Sequence, residues 1–350
     1  MNSPKVPKTI KIRKKKTLVI PKKSINKGGN PKYEYDRYVT TTGSLRDTIS
    51  TYGVAIIPNV LNDEECDGIV SGIWDYFEHI TQDWSVPVSR TDSSSWREIY
   101  KLYPLHSMLF QHHRVGQSQV CWDVRQNEKV VDIFRNFWGT DDLLVSFDGL
   151  SFNVPPEKTN RGWNRNNTWF HTDQSYLRPE FECIQSWVTG LDVNPGDATL
   201  TFMEGSNVYH EEFCKTFGIT EKKDWTKLTK EQETFYQDRG CEYKKIYCPK
   251  GSIVFWDSRT IHCGCEALRD RPVENFRAII YLCYTPKSRI TPALLRKKQK
   301  AFNEIRVTSH WPHKPKLFGK TPRTYGGEVY NVTPIDPPVV SELGMTLAGF

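Results

Sequence analysis

The sequence predicts a mainly β protein with flanking helices. After residue 140 the chain breaks into short runs rich in β-branched and aromatic residues: LLVSFDGLSFNV, IQSWVTGLDV, TLTFM, SIVFWDS and RAIIYLCYT. Pro, Gly, Asn and Asp separate them, which is the punctuation of a β-rich core. Before residue 140, two stretches carry apolar residues at helical spacing instead. At 350 residues, 37% hydrophobic and 13% aromatic, the chain can bury one large core.

The elements follow in order. Residues 1–35 are Lys-, Pro- and Gly-rich without periodicity and read as a disordered tail. Residues 1–33 hold eleven Lys and Arg and no acid, against a whole-chain net charge of +7, so the rest carries about −4. The body therefore has no basic surplus to attract a phosphate backbone. The tail itself reads as an import signal, an arm for nucleic acid or protein, or a solubilising extension. The folded part, 36–350, opens with VAIIPNVL, a strand entering a turn. Asn62 then caps a helix with Glu65 as its capping-box partner, and Cys66, Ile69, Val70, Ile73, Trp74 and Phe77 line its buried face. A second helix is predicted in NEKVVDIFRNFWG (127–139), closed by Gly139. The charged stretch 207–248 reads as an insertion between core strands and a candidate lid, with a helix from Thr229 to Gly240 capped through Gln232.

Nine cysteines, odd in number and without a CxxC, indicate reduced thiols in a cytosolic or nuclear setting. No apolar run is long enough for a membrane helix. The basic N-terminus lacks the apolar stretch of a secretory signal, and the C-terminal Ala348-Gly349-Phe350 is not a peroxisomal tripeptide.

The chemistry centres on WFHTDQSYL, residues 169–177. On a strand, His171 and Asp173 point to one face, and an imidazole with a carboxylate is two-thirds of the 2-His-1-carboxylate set that binds Fe(II). A plain His–Asp hydrogen bond is the alternative. His262, at the end of PKGSIVFWDSRTIHCG, is the candidate third ligand; a satisfied core histidine is the other reading. Arg277 opens RAIIYLCYT and shares a face with Ile279, Tyr281 and Cys283. Buried there it needs an anion, and a ligand carboxylate suits its planar fork. His112-His113 points apart on a strand and reads as surface or loop. Cys263 and Cys265 beside His262 read as incidental thiols, with a redox-sensitive pair or a contaminating-metal site as the alternative. Trp163, Trp169 and Tyr176 line either a substrate mouth or the core, and the stretch 307–326 either wraps the entrance or packs over the core.

HTD at 171–173, then His262, then Arg277 resembles the Fe(II)/2-oxoglutarate dioxygenases, and more narrowly the phytanoyl-CoA dioxygenase family. The resemblance spans about residues 50–290 and includes YGVAIIPNVLNDEEC, FNVPPE, IQSWVTGLDV, DATLTFMEGSN and PKGSIVFWDSRTIH. It implies a double-stranded β-helix, or jelly roll. It implies that His171, Asp173 and His262 hold iron, that 2-oxoglutarate chelates the iron, and that Arg277 clamps the distal carboxylate. Trp187 and Leu150 fall near the cosubstrate by family match, and Gln185, Gln117 and Tyr281 by position. Two departures stand out: Asn207 replaces the family's His in Gly-Ser-His, and Gly264 stands where some relatives carry a hydroxyl. The interval from His262 to Arg277 is long, which keeps Arg259 and Arg271 as fallback anchors. Asp173 is present, whereas halogenating relatives lack the carboxylate. The expectation is therefore hydroxylation of a small organic substrate with O2, 2-oxoglutarate yielding succinate and CO2. A hydroxylase or demethylase acting on protein or nucleic acid, and a non-catalytic jelly-roll binding protein, are the alternatives.

Overall fold

The central strands are buried at every position, so both of their faces are covered, and here they build two packed sheets with helices outside. The computed structural model describes residues 32–104, 108–165, 168–319, 321–322, 324 and 327–350. The first sheet runs β1 (Lys32–Glu34), β9 (Tyr243–Ile246), β7 (Thr199–Met203), β11 (His262–Cys265), β5 (His171–Thr172) and β8 (Thr226–Lys227). The second runs β2 (Val54–Ile57), β10 (Ile253–Asp257), β6 (Ile184–Thr189), β12 (Arg277–Pro286) and β3 (Leu143–Val145), with β4 (Leu150–Asn153) also paired to β12. Only the β1–β9 pairing is parallel among these strands. This is the jelly-roll arrangement.

Strand alternation divides the core. Val54, Ile56, Trp187, Val254, Trp256 and Ile279 of the second sheet meet Leu200, Phe202 and Ile246 of the first between the sheets. The intervening residues, Ala278, Ile280, Leu282 and Tyr284 on β12 among them, face the other way. They pack against the helices Asp63–Thr81, Gln119–Arg125 and Glu128–Trp138 through Ile69, Ile73, Phe77, Val120 and Phe134. Each such fully buried side chain stabilises the fold by about 1.5–3 kcal/mol. The helix starts and stops follow the local signals: Asn62 and Glu65 form the reciprocal capping box, and Gly139 closes its helix at φ 68°. Gly149 is needed for a different reason. A Cβ there would lie 1.6 Å from the Phe110 carbonyl oxygen, whose residue bridges to Leu150 through its own N–H at 2.8 Å.

Two segments differ from expectation. Lys32–Glu34, inside the stretch read as tail, forms β1 along the edge of β9; residues 1–31 lie outside the described residues. The 207–248 stretch supplies β8 and β9 of the first sheet. Its helices His210–Thr216 and Lys230–Gln237 cover that sheet's outer face through Phe213, Phe235 and Tyr236. It is a cover and two strands rather than an excursion from the core. The capping box at Thr229 and Gln232 is formed, and the helix it starts ends at Gln237. Among the described residues no helix is long and apolar enough to cross a membrane.

Candidate metal and cosubstrate site

The first sheet brings the three candidate ligands together by register. His262 lies directly opposite His171 across β11 and β5, and Asp173 follows one residue beyond β5. One ligand atom from each of His171, Asp173 and His262 lies within 4.8 Å of the others, and all three are largely buried. His171 Nε2 is 3.7 Å from Asp173 Oδ1, and His262 Nε2 is 3.4 Å from Asp173 Oδ2.

The tautomers follow from backbone contacts. His171 Nδ1 lies 3.2 Å from the Trp169 carbonyl, and His262 Nδ1 lies 2.9 Å from the Thr260 carbonyl. A carbonyl oxygen only accepts, so each Nδ1 carries the proton and each Nε2 keeps its lone pair toward the shared point. That donor set fits a divalent metal with imidazole and carboxylate ligands. Trp169 stacks on His171 at 4.8 Å and 9°, and Trp225 meets the same ring at 5.5 Å. Burial lowers the His171 pKa, and His262 adds to this. Burial alone would raise the Asp173 pKa; without a metal, it is the protonated form of His171, with a hydrogen bond from His262, that holds that carboxyl well below the usual carboxylate range. Gln185 Nε2 donates to Asp173 Oδ2 at 3.0 Å and fixes its orientation.

The second sheet supplies the candidate anchor. Arg277 is 5% exposed; its Nε donates to Ser151 Oγ at 3.1 Å and its Nη1 to the Ala198 carbonyl at 2.8 Å, with no carboxylate partner among the described residues. Its guanidinium lies 5.5 Å from the Trp187 ring centroid. The indole Nε1 atoms of Trp187 and Trp256 are buried without a hydrogen-bond partner among the described residues. A buried cation lacking an anion, with one unsatisfied indole donor on the ring beside it and another on the ring beside His262, fits a dicarboxylate ligand. The fallback anchors are committed elsewhere: Arg259 to Asp257 and the Pro179 carbonyl, Arg271 to Glu157 and Asp197.

Two expected cosubstrate residues are placed differently. Leu150 sits opposite Ile280 and belongs to the helix-facing core. A strand alternates faces, so its neighbour Ser151 is the residue turned toward Arg277. Gln117 has both ends of its amide engaged, donating to the Arg306 carbonyl at 2.9 Å and accepting from Trp122 Nε1 at 2.8 Å. Trp187, Gln185 and Tyr281 share the face of Arg277 by register. The His112-His113 pair lies in a turn, and burial pushes the His113 imidazole down to about 4. Cys263 belongs to the outer cluster of the first sheet, so alternation turns it away from the His262 side. Tyr176 is in that same outer core.

The departures have structural reasons. Asn207 donates to the Ile49 and Ser50 carbonyls near the end of the helix Leu45–Tyr52. At Gly264 a Cβ would meet Met108 Sδ at 2.7 Å, so a methionine takes the room a hydroxyl side chain would need. Two residues near the ligands were not singled out from the sequence. Trp256 lies 5.5 Å from the His262 ring, and strand alternation alone would have placed it inside. His310, in the late aromatic stretch, lowers the Asp173 pKa further and has a buried Nε2 without a partner among the described residues.

A family model described as Phytanoyl-CoA dioxygenase (PhyH) matches residues 49–266. The Aspergillus versicolor "Ava biosynthesis cluster protein O" is 26% identical over 280 residues, covering 78% of this chain and 87% of that protein. Among solved structures, a Salmonella typhimurium LT2 protein is similar at TM-score 0.56 and 14% identity, covering 92% of this chain and 87% of its own. The Candida albicans GlcNAc Inducible Gene 2 protein (GIG2) is similar at TM-score 0.52 and 13% identity, covering 77% of this chain and 68% of its own. At these identities the two structures speak to fold alone.

Proposed function

The chain belongs to the phytanoyl-CoA dioxygenase family of Fe(II)- and 2-oxoglutarate-dependent oxygenases, and from that premise we propose that it hydroxylates a small organic substrate. His171, Asp173 and His262 would hold the iron, and Arg277 would bind the distal carboxylate of 2-oxoglutarate. Bound iron and 2-oxoglutarate together supply the oxidising chemistry, taking up O2 and releasing succinate and CO2 as a C–H bond becomes C–OH. The chain's own residues do the rest. The Trp169 and Thr260 carbonyls hold the imidazoles in one tautomer. Gln185 steadies Asp173, and the aromatic rings around His171 and His262 keep bulk water from the centre. Asp173 completes the facial set and thereby favours hydroxylation over halide transfer.

The observation that carries this reading is the buried triad with both Nε2 atoms turned toward Asp173, together with a buried arginine on the other sheet that lacks a carboxylate among the described residues. A small substrate is supported by the fungal relative, named for a biosynthesis cluster. The test is anaerobic binding of Mn(II) or Fe(II), with and without 2-oxoglutarate, to wild type and His171→Ala. Wild type should bind the metal and then 2-oxoglutarate, and the variant should lose both, with metal affinity down at least about tenfold. Wild type that binds neither would exclude the reading.

A further inference from the structure

Trp256 stands at the metal end of the space between the sheets. It pairs directly with Gln185 across β10 and β6, and Gln185 in turn holds Asp173. Its ring lies 5.5 Å from that of His262, at an interplanar angle of 53°. Trp187 is the diagonal neighbour on the same face, one step toward Arg277. The Trp256 side chain is 3% exposed, yet its Nε1–H has no acceptor among the described residues. An indole nitrogen can only donate, and a buried donor left unpaired costs about 1–3 kcal/mol. The sequence could have placed Phe here, as at Phe255 next to it on the helix side, and filled the position without that cost.

We infer that the Trp256 indole N–H is a donor to the metal-chelating carboxylate of 2-oxoglutarate, and so a positioning residue for the cosubstrate at the end opposite Arg277. This rests on the function proposed above. Arg277 and Ser151 then fix the distal carboxylate, and Trp256 fixes the proximal one.

The experiment uses full-length protein loaded anaerobically with Mn(II), and titrates 2-oxoglutarate by calorimetry into wild type, Trp256→Phe and Arg277→Gln. Trp256→Phe should weaken 2-oxoglutarate about tenfold, as expected for one lost hydrogen bond to a charged group, while Mn(II) affinity stays within twofold. Arg277→Gln should weaken it more, again at constant Mn(II) affinity. A second measurement needs no variant: in Zn(II)-loaded wild type the Trp256 indole 1H–15N resonance should move downfield on adding 2-oxoglutarate. Wild type that binds 2-oxoglutarate with an unmoved indole resonance, or equal affinity in Trp256→Phe, overturns this inference and leaves the functional reading standing. Wild type that binds no 2-oxoglutarate overturns both.

Discussion

Gln185 shows how much a single neighbouring residue contributes to the site. Its Nε2 donates to Asp173 Oδ2, the same oxygen that lies 3.4 Å from His262 Nε2. The hydrogen bond holds one carboxylate rotamer against rotation, and such outer contacts tune metal affinity about 10–100-fold. Gln185→Leu should therefore lower Mn(II) affinity about tenfold while leaving the melting temperature of the metal-free protein nearly unchanged; isothermal titration and a thermal melt separate the two. The candidate ligands HTD and His262 could be picked out because metal chemistry restricts residue type and spacing, and the fold brings their side chains within reach of one another. Residue-level direction was harder to read. Leu150 and Ser151 differ by one position, and on a strand that is the difference between the helix-facing core and the Arg277 side. Gln117 was a further case: its amide has all the right atoms, but Trp122 and Arg306 already engage them.

Elements read well wherever their signals are local. The capping boxes at Asn62 and Thr229 and the left-handed Gly139 need only their own few residues, and each is formed. Strands β8 and β9 were not legible, because TK and YKKI look like solvated charge. Their pairing is decided by partners far away in sequence, Thr172 for Thr226 and Thr201 for Lys245. Lys244 and Lys245 are each only 4% exposed: the first pairs with Glu242, and the second places its ammonium 5.5 Å from the Tyr33 ring. Neither contact shows in composition. Gly149 gives a prediction at this scale. Gly149→Ala drives a methyl into the Phe110 carbonyl and must displace either β4 or the segment bridged to it. We expect a loss of about 3 kcal/mol or more, in the range of severe single substitutions, read by urea denaturation. Because β4 carries Ser151, the Arg277 contact should loosen with it, and 2-oxoglutarate affinity should fall even where the variant remains folded.

At the scale of the molecule, the two sheets divide the work: one carries His171 and His262, the other Arg277, Trp187 and Trp256. The short β-rich runs after residue 140 made a β core readable, and the order HTD, His262, Arg277 carried the family resemblance that implied the jelly roll.

One feature of the first sheet reaches beyond the chemistry. Strand β5 is two residues long, and it holds its place through one pairing to β11 and two to β8. So short a strand has little adhesion of its own. A metal held as proposed by His171 on β5 and His262 on β11 would act as a rivet between them, since any ligand that binds only the folded state stabilises it by mass action, about 2.7 kcal/mol at a hundredfold excess over Kd. Chelation should therefore lower the melting temperature and expose the Trp169–Leu177 region to protease, with Mn(II) restoring both, and limited proteolysis with and without chelator measures this. Cellular iron supply would then govern the lifetime of the protein as well as its turnover.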